Sequence, residues 1–248
     1  MIPALLLGRK GSKGFPGKNT ANICGHPLAY YPMKAALNCP DVDTVYLSTD
    51  DEVLMGLACD NGVSIILRPQ ELCTDKALGE HAFVHGYEEI KRANPKSEIE
   101  LVVLLFCNAP TVISDTISKG IDVLRNNPEI DSAVTVSRYN MWSPLRARKI
   151  GDDGLLHPFV PFEIFGDPKT LNCDRDSQGD VWFADMGVSI VRPKCLENLN
   201  EGLLPQKWMG QKIYPLRQWG GLDVDYEWQM PLAEYWIKMH SGEVKKLV

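Results

Sequence analysis

The sequence predicts an α/β fold, a mostly parallel sheet with helices on both faces, forming one domain over residues 1–248. Three observations carry that expectation. Short apolar runs alternate with helix-length amphipathic segments from residue 3 to residue 137, the rhythm of β-α-β units whose strands are covered on both sides. Cap and turn residues fall between those segments. The chain of 248 residues, 44% hydrophobic and 23% charged, is ordinary for one generous domain, which buries ~75% of its unfolded surface on folding.

Taken in order, Pro3 to Leu7 is a brief apolar strand that runs into a glycine-rich loop. Leu28 to Asn38 carries helical spacing and stops before Pro40. Thr44 to Ser48 is a β-branched and apolar strand, and Asp50-Asp51-Glu52 supply acids suited to a first helical turn. That helix ends at the C-cap signal Asn61-Gly62, after which Val63 to Leu67 returns to strand. Gly79 to Ala93 reads as a helix, Ile99 to Phe106 as a buried strand, Asp115 to Asn126 as a helix and Ser132 to Ser137 as a strand. From Tyr139 to about Trp182 the rhythm breaks. This stretch is rich in Pro, Asp and Gly yet contains Phe159, Val160, Phe162, Ile164 and Phe165, so it reads as a functional or partner-covered excursion. Val188 to Val191 and Lys212 to Leu216 resume as strands, and Tyr226 to His240 closes as a helix.

Several functional classes are excluded. No apolar run approaches the ~18 residues that span a bilayer, and Met1 to Gly8 reads as a first strand rather than a leader. Seven cysteines, an odd number with no Cys-x-x-Cys pair, read as free thiols of a reducing cytoplasm. A net charge of −6 argues against a general nucleic-acid surface. The charge is uneven, however: Arg9, Lys10, Lys13 and Lys18 put +4 on residues 8–19, leaving −10 elsewhere. That asymmetry points to one small anionic ligand, placed beyond the carboxyl end of the first strand where such sheets bind ligands.

The loop Gly8-Arg9-Lys10-Gly11-Ser12-Lys13-Gly14-Phe15-Pro16-Gly17-Lys18-Asn19 is the strongest local motif. Glycines let backbone N–H groups approach an anion while the cations neutralise it; the alternative is a solvated basic turn. It is not a Walker A loop, because Ser12 occupies the position of the first glycine and Asn19 that of the magnesium-binding hydroxyl. Asp223 and Asp225, at i and i+2 on an expected strand, would face one side and suit magnesium together with phosphate oxygens; otherwise they are two solvated acids. Asp50 reads as a helix N-cap or a site residue, and Arg68 as a site residue or half of a salt bridge. His81 and His85 have helical i, i+4 spacing but no third metal ligand, and the six tryptophans read mostly as core or interface.

These motifs resemble, in order and spacing, those of the acylneuraminate cytidylyltransferases, the CMP-sialic acid synthetase family. The loop is similar to its A-R-x-x-S-K-G-x-P-x-K-N signature. The segments GHPLAYYPMKAAL, VYLSTDDE and NGVSIILRPQELCTD follow, and GLDVDYEWQMPLAE resembles I-D-x-D-x-E-x-D-L-x-x-A-E. The resemblance implies a Rossmann-like nucleotidyltransferase fold with a dimerisation arm inserted at about 139–182, and hence a homodimer. It implies that Gly8, Arg9, Lys10, Gly11, Ser12, Lys13 and Lys18 hold the triphosphate of CTP, with Asn19 near the ribose or base and Arg68 near the nucleotide. Asp223 and Asp225 would ligate Mg2+. Arg9, Lys13 and Asp225 would be catalytic, the two cations by stabilising the departing pyrophosphate.

Departures gather where the sugar acid should bind. The run from Leu104 to Val112, LLFCNAPTV, stands where the family has L-L-Q-P-T-S-P-L-R, and Phe183-Ala184-Asp185-Met186-Gly187 where it has F-R-x-N-G. Gly79 replaces a serine found near the cytosine. Phe106 and Asn108 are therefore expected to line an altered sugar pocket, with Arg146 and Arg175 as substitutes for binding the sugar carboxylate. The expected reaction is transfer of CMP from CTP to the anomeric hydroxyl of a nonulosonic, sialic-acid-like keto sugar acid. The alternatives are another sugar or nucleotide, or a catalytically degenerate nucleotide-binding relative.

Overall fold

The computed structural model describes residues 1–174 and 179–241. In chain order the elements open with β1 (Pro3–Leu7), a small hairpin of β2 (Asn22–Ile23) and β3 (His26–Pro27), and α1 (Tyr30–Leu37). They continue with β4 (Thr44–Thr49), α2 (Glu52–Asp60), β5 (Ser64–Leu67), α3 (Gly79–Ala93), β6 (Val102–Phe106), α4 (Ser114–Asn126) and β7 (Ser132–Arg138). A second hairpin, β8 (Arg148–Ile150) and β9 (Leu156–Pro158), precedes β10 (Trp182–Val191), α5 (Pro193–Glu197), β11 (Ile213–Gln218) and α6 (Met230–Ser241).

The main sheet has seven strands in the order β11-β7-β10-β6-β1-β4-β5. Its alternating apolar register separates the two helical layers. Ala4 and Leu6 of β1, with Leu47, Val103 and Leu105, pack towards Met33, Leu54, Ile117 and Ile121 of α1, α2 and α4. Leu5 and Leu7, with Tyr46 and Leu104, pack towards Phe83, Tyr87 and Ile90 of α3 and towards Leu196. Strands buried on both faces explain why these segments read as continuous apolar runs. A smaller cluster of Ile23, Leu28, Val224, Ala233, Trp236 and Ile237 docks α6 beside the β2–β3 hairpin.

All the pairs β1–β4, β1–β6, β4–β5 and β7–β11 are parallel, but β10 is antiparallel to both β6 and β7. Topology gives the reason. The excursion after β7 returns at the end where it left, with Trp182 opposite Arg138, so the chain must re-enter the sheet running backwards. β10 is also longer than the expected Val188 to Val191, and it is irregular between Ala184 and Ser189. Within the excursion the short hairpin carries exposed Ile150 and Leu156, while Phe159 and Ile164 are 63% and 69% exposed. Val160, Phe162 and Phe165 are half-buried.

Candidate active site

The basic loop begins where β1 ends. Gly8 is buried, and its N–H donates to the carbonyl of Ser48 at 3.2 Å. A side chain there would place its Cβ 2.6 Å from Leu54 Cδ1 and 2.7 Å from Cys107 Sγ, so the strand can turn out of the sheet here only with glycine. Gly11 then takes a positive φ of 76° at an exposed turn. Asp50 Oδ1 accepts the Lys10 N–H at 2.7 Å, and Asn19 Nδ2 donates to the carbonyl of Arg9 at 3.2 Å. The expected N-cap role belongs to Asp51, whose side chain accepts from the Val53 N–H; Asp50 holds the loop instead.

The loop's charge is less isolated than the sequence implied. Arg9 Nη2 and Lys13 Nζ both reach the carboxylate of Asp75, each at 2.8 Å, and Arg9 Nη1 also donates to the carbonyl of Cys73. Lys13 and Arg9 together hold the Asp75 carboxyl below its usual range. Lys18 Nζ pairs with Asp225 Oδ1 at 2.6 Å. Asp75 was missed because its partners lie 62 and 66 positions away; the signal available was its place in the matched segment ending ELCTD. Lys10 and Gly11 are exposed and Ser12 is half-buried. Lys10 forms no ion pair among the described residues.

The acidic pair is held differently from the expectation. Residues 221–225 form a loop, not a strand. The N–H of the fully buried Val224 nevertheless donates to the Asn108 carbonyl at 2.8 Å, while Asn108 Nδ2 donates to the Val224 carbonyl at 3.0 Å and lies 3.4 Å from Asp225 Oδ1. Val224 is turned into the core between them, and Asp223 and Asp225 are near enough for the charge of one to act on the other. Burial pushes the Asp223 carboxyl above the usual range, and neighbouring Asp225 adds to the effect. Asn108 thus holds this loop through its backbone carbonyl and its amide N–H.

Gly8, Arg9, Lys18, Asn19, Arg68, Gly79, Phe106 and Asn108 line one cleft of about 180 Å³. Arg68, 9% exposed, donates to Ser48 Oγ at 3.2 Å and to the Ser48 carbonyl at 2.6 Å. Burial lowers its pKa, against a smaller raising effect of Asp50, and it forms no salt bridge among the described residues, so the salt-bridge reading does not hold. Asn19 is buried with Oδ1 unpartnered. Phe106 stands edge-on to Phe83 and Trp208, with ring centroids 5.1 and 6.1 Å away. Arg146 does not line this cleft; it borders a separate cavity of about 600 Å³ in the excursion, with Arg148 and Phe162. Arg175 lies outside the described residues. Burial pushes the thiols of Cys107 and Cys73 up to about 12 and about 11, so neither is a thiolate nucleophile at neutral pH. His85 Nε2 faces Glu89, and no cluster of three or more His, Cys, Asp or Glu that could hold a metal occurs among the described residues.

A cytidylyltransferase family model matches residues 3–149, and the chain belongs to that family. Among curated relatives, an N-acylneuraminate cytidylyltransferase of Escherichia coli is 31% identical over 140 residues, 56% of this chain and 32% of that protein. One of Oncorhynchus mykiss is 24% identical over 94% of this chain and 49% of its own. The match therefore spans a third to a half of those relatives. A CMP-N,N'-diacetyllegionaminic acid synthase of Legionella pneumophila is 29% identical over 88% of this chain and 97% of its own. A solved CMP:2-keto-3-deoxy-manno-octonic acid synthetase complexed with CTP superposes with a TM-score of 0.65 at 15% identity, covering 98% and 99% of the two chains. A 4-diphosphocytidyl-2C-methyl-D-erythritol synthase from Anaerococcus prevotii gives 0.61 at 11% identity, covering 96% of each. The fold is a Rossmann-like nucleotidyltransferase fold.

Proposed function

We propose that the chain transfers CMP from CTP to the anomeric hydroxyl of a nonulosonic, sialic-acid-like keto sugar acid and releases pyrophosphate. The observation that carries this reading is the joining of the basic loop to the paired-carboxylate loop through the Lys18–Asp225 ion pair, next to the cleft that Arg9, Lys18 and Asn108 line. In the reaction the hydroxyl oxygen bonds to the α-phosphorus as the bond to the bridging α–β oxygen breaks. Arg9 and Lys13, gathered by Asp75, meet the charge that accumulates on the departing pyrophosphate. Arg68 and Asn19 offer the nucleotide a buried cation and an unused acceptor. Asp223 and Asp225 fit Mg2+: they are two neighbouring hard oxygen donors, and the charge of Asp225 adds to the burial that raises the Asp223 carboxyl. Bound there, Mg2+ supplies positive charge for phosphate oxygens and lowers the pKa of a coordinated alcohol.

We infer that N-acetylneuraminate is not the best sugar-acid substrate. Phe106, Ala184 and Met186 stand where the resembled family has Gln, Arg and Asn, and all three pack on the same apolar cluster. Asn108 lines the same cleft as Phe106 but gives its amide N–H to the acidic loop, and Arg146 lines another cavity. A polar substrate group left without its partner costs ~1–3 kcal/mol. Pyrophosphate release measured with CTP saturating should therefore give a kcat/KM for deoxy, acylamino nonulosonates about tenfold or more above that for N-acetylneuraminate. N-acetylneuraminate outranking every deoxy analogue would overturn the pocket argument. The same assay with UTP, GTP and ATP tests the nucleotide, and no release with any pairing would leave a nucleotide-binding relative without turnover.

We further propose a homodimer in the cytoplasm, built through the excursion 139–182. The exposed Phe159 and Ile164, and the exposed pair Ile150 and Leu156 on the hairpin, are apolar side chains of the kind a second copy covers. Light scattering at micromolar concentration should return a dimer mass, and Phe159→Glu with Ile164→Glu should shift it to the monomer; a monomeric wild type refutes the arm's role. Among the described residues no helix is long and apolar enough to cross a membrane, and no nucleic-acid partner is proposed.

A further inference from the structure

Asp185 is a carboxylate without a part in the reaction above, yet it is 4% exposed. It forms no ion pair among the described residues. A buried charge is costly unless hydrogen bonds replace its water. Three donors do so: Ser137 Oγ at 2.6 Å and Gln218 Nε2 at 2.9 Å to Oδ2, and the Gly187 N–H at 3.2 Å to Oδ1.

Those donors lead to the acidic loop. The single Ser137 hydroxyl proton goes to Asp185, which leaves its oxygen to accept the Gly221 N–H at 2.8 Å. Gln218 Nε2 also donates to the Thr111 carbonyl at 3.1 Å. Thr111 Oγ1 in turn accepts the Leu222 N–H at 2.9 Å and donates to the Leu222 carbonyl at 3.0 Å. Asp185 packs directly under the loop, because a Cβ on Gly221 would lie 2.3 Å from its Oδ2. Gly221 and Leu222 are thus tied through Asp185 and its partners, and Val224 through Asn108. Asp223 sits between the two clamps.

We propose that Asp185 is a positioning residue: through Ser137 and Gln218 it fixes the backbone that presents Asp223 and Asp225 to a divalent cation. The proposal rests on the reading of that pair as cation ligands. Two adjacent carboxylates repel, and a free loop would let them turn apart into solvent. A buried acceptor that dictates the direction of the Ser137 and Gln218 hydrogen bonds prevents this, as outer-shell partners do at metal sites. In an Asp185→Asn side chain that keeps its carbonyl towards Ser137 and Gln218, the amide NH2 faces the Gly187 N–H, donor against donor.

The test is Mn2+ binding to the full chain in the presence of CTP, followed by electron paramagnetic resonance, with CTP binding without metal measured by calorimetry. Asp185→Asn should weaken Mn2+ about 10- to 100-fold, and Ser137→Ala should weaken it in the same direction, while metal-free CTP binding stays unchanged. Wild-type Mn2+ affinity in Asp185→Asn, beside a clear loss in Asp223→Asn, overturns the proposal alone. Wild-type affinity in Asp223→Asn and Asp225→Asn overturns the cation-site reading and the proposal with it. If Asp185→Asn does not fold, Ser137→Ala and Gln218→Met decide: undiminished Mn2+ affinity in both refutes the positioning role.

Discussion

Asp225→Asn is expected to abolish nucleotidyl transfer, lowering kcat by ~10³-fold or more, because charge stabilisation worth several kcal/mol is lost at tenfold per 1.36 kcal/mol. The fold should survive. The Asp225 side chain is 54% exposed and its pair with Lys18 is a partly solvated one, of the kind that contributes little to stability. Asp50→Asn should be milder, since an amide oxygen can still accept the Lys10 N–H that Asp50 now holds at 2.7 Å. The wild type should in turn need an added divalent cation. Pyrophosphate release checks both statements, and turnover undiminished in excess chelator would remove the acidic pair from the chemistry.

The second large effect falls on the basic loop. Lys13→Ala should lower kcat by ~10²-fold with little change in thermal stability, the pattern of a contact made in the transition state rather than in folding. The Lys13 side chain is 81% exposed and pairs with the exposed carboxylate of Asp75, so its removal leaves no cavity. Arg68 offers the contrast, since its buried guanidinium is tied to Ser48 and replacing it would perturb β4 as well as the cleft. Steady-state kinetics beside a melting curve separates the two kinds of residue. Wild-type turnover in Lys13→Ala would discard its phosphate role.

Much of the fold was readable before any coordinates because its cues are local. The helix expected over Gly79 to Ala93 matches α3, and the strand expected over Thr44 to Ser48 ends one residue short of β4. Periodicity and cap chemistry reside within a few neighbouring residues, so they can be read from the chain. The direction of β10 could not, because a four-residue apolar run at Val188 to Val191 has no polarity; the return of the excursion beside Arg138 sets it. Asp223 and Asp225 were expected on a strand. Val224 is buried between them, in a loop rather than in a regular strand.

The amino-acid order alone settled the β-α alternation, the basic loop at the end of β1 and the identity of the paired acids. Each is a property of adjacent residues or of a short motif, present whether or not the chain is folded. Folding settled which charges meet. Lys18 finds Asp225 across 207 positions, and Arg9 and Lys13 find Asp75 rather than standing unpaired. It also gave Asn108, which lines the cleft, a hold on Val224, and brought Asp185 against Gly221. Such contacts depend on which strand ends lie side by side, and the crossovers of the sheet, not spacing along the chain, bring those ends together.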